Sequence, residues 1–169
     1  MLFRSSVSNY ESGDSSGAVS AWIYAISTDY PYIFSSLDEG TDWAYGIGFA
    51  IHASTNRPYI YQTNNDGLDV VWSTDGIILS QWNHIVYVST GSAYKIYING
   101  IEKIMGVLQG TNSGDWFSDT NNRDNISVGG AVTSAGLSHV FNGSISDVRI
   151  YNRALSAVEV KQLYMRGRP

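Results

Sequence analysis

The groups able to do chemistry in this 169-residue chain are rings and carboxylates. It carries 5 Trp and 12 Tyr but no Cys. Thiol chemistry, a disulfide framework and Cys-based metal sites are therefore excluded. Three tryptophans stand beside polar turns. Trp43 follows the acidic turn Asp38-Glu39-Gly40-Thr41-Asp42, Trp72 precedes Asp75-Gly76, and Trp116 interrupts a polar stretch over 109–125. Tyr45, Tyr59 and Tyr61 alternate along strand-like runs. A ring with one face free can stack on the apolar face of a hydroxylated ligand, while polar neighbours bond its hydroxyls. The competing reading is structural: rim aromatics packed on neighbouring loops, and tyrosines on a half-buried sheet face.

The carboxylates admit two uses. Calcium takes roughly six to eight oxygens, several of them from carboxylates. Asp38, Glu39 and Asp42 cluster within one turn, Asp119, Asp124 and Asn125 form a second group, and Asp14 sits on an early Ser/Gly-rich loop. None has the spacing of an EF-hand loop, and Asp-rich turns are ordinarily Asx turns. For catalysis, strand-borne carboxylates such as Asp69 and Asp147 stand alone in sequence. His52, His84 and His139 have no sequence-adjacent partner, and neither a phosphate-binding loop nor a Gly-x-Ser-x-Gly elbow is present.

The elements that must position these groups are strands. The run Gln81–Lys103, QWNHIVYVSTGSAYKIYINGIEK, is central. His84–Thr90 carries bulk on both faces, Val86 and Val88 on one and Ile85 and Tyr87 on the other, which predicts a strand between two layers. Tyr94–Ile98 alternates, and Asn99-Gly100 before Ile101–Met105 predicts a type I′ hairpin. Upstream strands are expected at Leu2–Val7, Ala18–Ile26, Tyr32–Leu37, Trp43–Ala53, Pro58–Thr63, Leu68–Thr74 and Ile77–Leu79. Trp43–Ala53, WAYGIGFAIHA, sets bulky residues against Gly and Ala, a sign of close approach by another group. Ile126–Gly130 reads as a strand and Ala131–Ser138 as a small-residue loop. In Phe141–Tyr151 the phase slips between Ile145 and Val148, which places a bulge near Ser146-Asp147. Ser156-Ala157-Val158-Glu159 is a capping box, stapled by Leu155 and Val160, for a helix running roughly to Met165. The expectation is about eleven strands and one helix in a single domain over 1–169.

Charge narrows the ligand. The net charge of −5 disfavours nucleic acid and suits a neutral ligand or a cation. No apolar run is long enough to span a membrane, and MLFRSSVSNYESGD lacks the apolar core of a signal peptide.

Four blocks, GAVSAWIYA (Gly17–Ala25), Gln81–Gly100, NISVGG (Asn125–Gly130) and FNGSISDVRIYNRALSAVEVKQLY (Phe141–Tyr164), resemble the laminin-G-like, concanavalin A-like jelly-roll superfamily. The opening Leu2–Ala25 also resembles the N-terminal strand pair of such domains in phage and marine-virus virion proteins. The resemblance implies an all-β fold: a two-sheet antiparallel jelly-roll sandwich with one short C-terminal helix and a concave face. It implies core positions for Trp22 and Trp82 and a buried, hydrogen-bonded His84. It also implies glycan binding at the concave face or its rim, and a calcium ion near the last strand, for which Asp147 is the best candidate ligand. Asp147 has a competing role, tying the strand to the following turn. The Glu-x-Asp-x-x-Glu run of jelly-roll glycosidases and the Gln-x-His and Tyr-x-Lys patterns of the lyases are absent. The expectation is a non-catalytic, lectin-like carbohydrate-binding module of a secreted, cell-surface or virion protein. Its ligand-binding candidates are Trp43, Tyr45, Tyr59, Tyr61, Trp72 and Trp116, and its calcium candidates are Asp147, Asp14, Asp38 and Asp42. A protein-interaction or adhesion module is the second reading, and a polysaccharide-cleaving enzyme the third.

Overall fold

The computed structural model describes residues 3–6, 13–41, 43–64, 67–120 and 122–167. In chain order the strands are β1 (Phe3–Ser6), β2 (Gly17–Ala25), β3 (Tyr32–Leu37), β4 (Gly46–Ile51), β5 (Pro58–Asn64), β6 (Gly67–Ser73) and β7 (Trp82–Ser89). There follow β8 (Tyr94–Ile98), β9 (Ile101–Glu102), β10 (Met105–Gln109), β11 (Asn125–Val128), β12 (Ala131–Thr133), β13 (Gly136–Ser138) and β14 (Gly143–Tyr151), then helix α1 (Ala157–Arg166). A seven-stranded sheet has the order β1-β11-β3-β4-β5-β6-β10 and a five-stranded sheet the order β14-β2-β7-β8-β9, while β12 and β13 pair as a hairpin. All pairings are antiparallel.

The two sheets face one another across a continuous core. Val19, Ala21, Ile23, Ile85, Tyr87 and Ile96 of the five-stranded sheet meet Phe34, Ile47, Phe49, Ile60 and Val71 of the seven-stranded one. The opposite face of the five-stranded sheet is covered by α1, where Ala18, Val86, Val88 and Tyr97 pack with Leu155 and Val160. This explains why β7 is apolar on both sides: a sheet lies on one and a helix on the other. Trp22 is buried on this helix-side face, 5.6 Å from the Tyr164 ring and 5.1 Å from His84, and Trp82 lies half-buried beside Tyr24.

The local signals at both ends of the core take their expected form. Asn99 and Gly100 have φ of 52° and 77°, the left-handed pair that a type I′ turn requires. Ser156 Oγ accepts from the Glu159 N–H, and Glu159 Oε2 accepts from the Ser156 N–H at 2.8 Å. The β14–β2 register shifts between Ser146 and Arg149, where Asp147 takes φ of 51°.

Three expectations are corrected. Ile77–Leu79 forms no strand: Ile77 N–H donates to the Asn56 carbonyl at 2.8 Å, and Asn83 Nδ2 donates to the Ile78 carbonyl at 2.8 Å. The segment is tied by a neighbouring loop and a side chain, so it needs no ladder. Ala131–Ser138 is the β12–β13 hairpin, held down by Asn125 Nδ2 on the Val132 carbonyl and by Ser134 N–H on the Thr41 carbonyl. The strand expected to begin at Trp43 begins at Gly46, because Trp43 adopts φ of 61° in a turn. No helix of the described residues is long and apolar enough to cross a membrane.

Candidate ligand-binding face

The outward side of the seven-stranded sheet is where the aromatic residues gather. In β4 the bulky Ile47, Phe49 and Ile51 enter the core, leaving Gly46, Gly48 and Ala50 on the outer side. A Cβ at Gly48 would collide with the Tyr32 ring, and one at Gly106 would lie 2.6 Å from Trp72 Nε1. Each glycine therefore lets a ring lie down on the strand beside it. The glycine–aliphatic alternation legible in the sequence is a seat for aromatic side chains.

Tyr32, Tyr59, Leu37, Ala50 and Ala131 are buried there, and Trp43, Tyr61, Val70 and Trp72 pack over them half-buried. Tyr59 and Trp72 are register partners on β5 and β6, and Tyr61 stands two residues along on the same side. The Tyr32 and Trp43 centroids are 5.5 Å apart, and Trp43 and Tyr61 meet edge-on at 5.8 Å. Tyr61 Oη donates to the Trp43 carbonyl at 2.8 Å, which pins the turn carrying that indole. Polar groups flank the rings. The Arg57 guanidinium lies 4.9 Å from the centre of the Trp72 ring, His52 stands edge-on to it at 5.4 Å, and His139 is 5.1 Å from Trp43. Burial pushes the Tyr59 hydroxyl up to about 12, so it remains a neutral donor.

Of the six rings proposed from sequence, four lie in this cluster: Trp43, Tyr59, Tyr61 and Trp72. Tyr45 is half-buried at the entrance to β4 and outside it. Trp116 is a correction. It is 0% exposed and belongs to the core between the sheets, 5.7 Å from Phe49 and 4.8 Å from Phe117. The loop that carries it is drawn inward. Tyr94 Oη donates to the Asp115 carbonyl at 2.6 Å, Ser89 Oγ donates to the Gly114 carbonyl, and Gly17 leaves the space the indole fills. A ring with no exposed surface cannot stack on a ligand. Tyr32, His52, Arg57 and His139 join the face without having been singled out as ligand contacts. Their sequence surroundings are ordinary, and only the β4 glycines hint at a covering ring.

The carboxylates proposed for calcium do not converge. Asp38 accepts from the Gly40 N–H at 2.7 Å and from Thr41 Oγ1 at 3.2 Å, closing its own turn. Asp147 is ion-paired to Arg149 at 2.8 Å. The Asp14 carbonyl accepts from Ser118 N–H, and Asp42 lies outside the described residues. In the second group Asp124 accepts from the Glu39 N–H and Asp119 from the Trp116 N–H. Among the described residues, no three His, Cys, Asp or Glu side chains form a group that could hold a metal. The Asp147 surroundings, with a guanidinium in place of further oxygens, do not fit calcium.

The third histidine is structural. His84 is buried, with Nε2 2.9 Å from Ser20 Oγ, and burial lowers its pKa to about 4; Asp147 pulls it up and Arg149 down.

A family model described as the concanavalin A-like lectin/glucanases superfamily matches residues 5–161. No curated protein matches the sequence significantly. Among solved structures, the IT-sialidase CBM40 of Ruminococcus gnavus bound to α2,3-sialyllactose is similar with a TM-score of 0.77 at 15% identity, covering 97% of this chain and 98% of that one. Domain 4 of AbnA, a GH43 extracellular arabinanase from Geobacillus stearothermophilus, in complex with arabinotriose, gives a TM-score of 0.64 at 21% identity over 89% and 66%. A heptameric SAP-like pentraxin from Limulus polyphemus gives 0.63 at 20% over 89% and 70%.

Proposed function

The chain belongs to the concanavalin A-like lectin/glucanases superfamily, and from that premise we propose that it is a non-catalytic carbohydrate-binding module. The observation that carries this reading is the convergence of half-exposed Trp43, Tyr61 and Trp72 on one face, flanked by Arg57, His52 and His139. Indole and phenol rings offer flat apolar surface to the C–H faces of a pyranose or furanose. The guanidinium and imidazoles supply donors to its hydroxyls. Neighbouring strands lie about 5 Å apart, so a saccharide crossing β4, β5 and β6 would meet successive rings, which suits an oligosaccharide or polysaccharide better than a single sugar. The similar CBM40 and the similar arabinanase domain were both solved with oligosaccharides, which supports the ligand class. An extracellular setting follows the same parallel. The face contains none of the proposed calcium ligands, so its binding is proposed to survive a chelator.

Glycan-array binding followed by titration of the best hit tests the reading. Trp72→Ala should weaken binding about tenfold or more, the size of a lost ring contact of roughly 1–2 kcal/mol. A folded sample silent across the array, or a Trp72→Ala variant binding as tightly as the parent, would contradict it.

A further inference from the structure

The turn joining β4 to β5 carries a cation without a counter-ion. Arg57 is half-buried and lies 4.9 Å from the centre of the Trp72 ring. Among the described residues its guanidinium pairs with no carboxylate and donates no hydrogen bond. The other buried or half-buried lysines and arginines of the described residues are all held. Lys95 is ion-paired with Glu102 and Lys103 with Asp75, and Arg123 donates to Ser36 Oγ and to the Thr120 and Phe117 carbonyls. Drawing a charge away from water without pairing it costs free energy, so the Arg57 site lacks an anion that a ligand can bring.

The turn is held in place by its own hydrogen bonds and by its neighbours. His52 N–H donates to the Arg57 carbonyl at 2.8 Å, and Asn56 N–H donates to the His52 carbonyl at 3.0 Å. Thr28 Oγ1 is 2.7 Å from Asn56 Oδ1, and the Asn56 carbonyl accepts from Ile77 N–H at 2.8 Å. A guanidinium stacked on an indole keeps the N–H groups of its edge available, in the fork that matches a planar carboxylate. The net charge of −5 opposes an anion in general, but the local distribution decides. Trp43 precedes β4 and Arg57 follows it, so the 6 residues of that strand, about 20 Å, separate the two ends of the face. Asp38 and Glu39 stand in the turn at the Trp43 end. Screening at physiological salt acts over about 8 Å, so those carboxylates leave the Arg57 end positive. There Asp75 is held by Lys103 at 2.9 Å, and Asp29 is exposed and not paired with Arg57.

We infer that the aromatic face takes an acidic glycan, with one sugar carboxylate on the Arg57 fork beside Trp72 and uncharged sugars running toward Trp43. This rests on the glycan-binding reading above and names its ligand class. Arg57 keeps its charge at any working pH, so the preference needs no protonation of His52 or His139. A uronate joined to neutral sugars meets both ends of the face. An unbroken chain of uronates does not, because its far carboxylates would meet Asp38 and Glu39.

The test is titration of the full chain with matched pairs of linear tetrasaccharides built from glucose, galactose or mannose. In each pair the non-reducing terminal CH2OH is either intact or oxidised to the carboxylate, and 3′-sialyllactose is titrated alongside. In the pair that binds best, the uronate form should bind about tenfold more tightly, the size of a charge-assisted hydrogen-bond pair. Raising NaCl from about 50 to about 500 mM should shrink that ratio. Arg57→Gln should bring the ratio close to unity. Arg57→Lys, which keeps the charge without the fork, should leave an intermediate ratio, and thermal unfolding of both variants verifies that they fold. The proposal is overturned by a ratio near unity in the parent, by a ratio that Arg57→Gln leaves unchanged, or by sialyllactose binding more tightly than every uronate. Equal binding of both members of a pair leaves the glycan-binding reading intact, whereas silence to every glycan removes both.

Discussion

At the scale of single residues, the backbone separates what serves the fold from what serves the face. Trp43 holds φ of 61°, a conformation that costs a bulky side chain roughly 1–3 kcal/mol and that asparagine adopts far more readily. Trp43→Asn should therefore keep or slightly raise Tm while weakening glycan binding about tenfold, read by thermal unfolding and titration side by side; a loss of both in equal measure would make the indole a packing residue only. His84 behaves oppositely. Its folded pKa of about 4 lies below the ordinary 6.5 because burial disfavours the imidazolium. The unfolded chain thus binds its proton first as the pH falls. The stability tied to His84 is full above about pH 6.5 and is lost progressively between 6.5 and 4. Subtracting the Tm–pH profile of His84→Gln, which keeps a partner for Ser20, from that of the parent should isolate this window as a decline toward acid.

At the scale of elements, the terminal helix and the fourth strand do distinct work. The capping box ties α1 to the turn before it, and Arg153 Nη2 reaches Glu159 at 2.6 Å across the same turn. That ion pair is solvent-exposed and contributes little; the cap contributes more. Ser156→Ala should cost about 1 kcal/mol, a Tm drop of roughly 2–4 °C, because fraying uncovers Val160 and the Trp22–Tyr164 stack. A helix-cap variant with unchanged Tm would contradict this. In β4, Gly48 is the seat of Tyr32, so an added methyl must lift a buried ring whose neighbours include Trp43 and Tyr59. The outer face is thus set by what this strand leaves out.

At the scale of the whole molecule, the three layers divide the tasks. The five-stranded sheet packs on the core on one side and against α1 on the other, with Arg149 and Lys95 of its outer strands left partly exposed beside the helix. The seven-stranded sheet carries the core on one side and the aromatic cluster, partly covered by the β12–β13 hairpin, on the other, the face proposed to take the glycan. Residues 110–120 and 122–124 form the plug. Trp116 and Phe117 fill the core, and Arg123 lies 4.4 Å from the Phe117 ring while bonding Ser36 Oγ and the Thr120 and Phe117 carbonyls. That use of the loop was not legible in its composition, since a polar Gly/Asn/Asp stretch reads as solvent-exposed. Its two apolar residues reveal their destination only when Gly17 and Phe49 are placed opposite them.

Period and turn chemistry are local properties, and they were enough for most strand positions, for the Asn99-Gly100 hairpin, for the slip at Asp147 and for the capped helix. Each depends on a few consecutive residues whose backbone preferences agree with their burial. Which rings share a face is not local. Trp43, Tyr61 and Trp72 come together because strands β4, β5 and β6 pair in one register. Trp116 is excluded because a loop folds inward, and Asp69, solitary in sequence, accepts from Thr111 N–H because the same loop returns across β6. Cross-strand register and loop closure act between residues far apart in the chain, so only the tertiary structure could decide them.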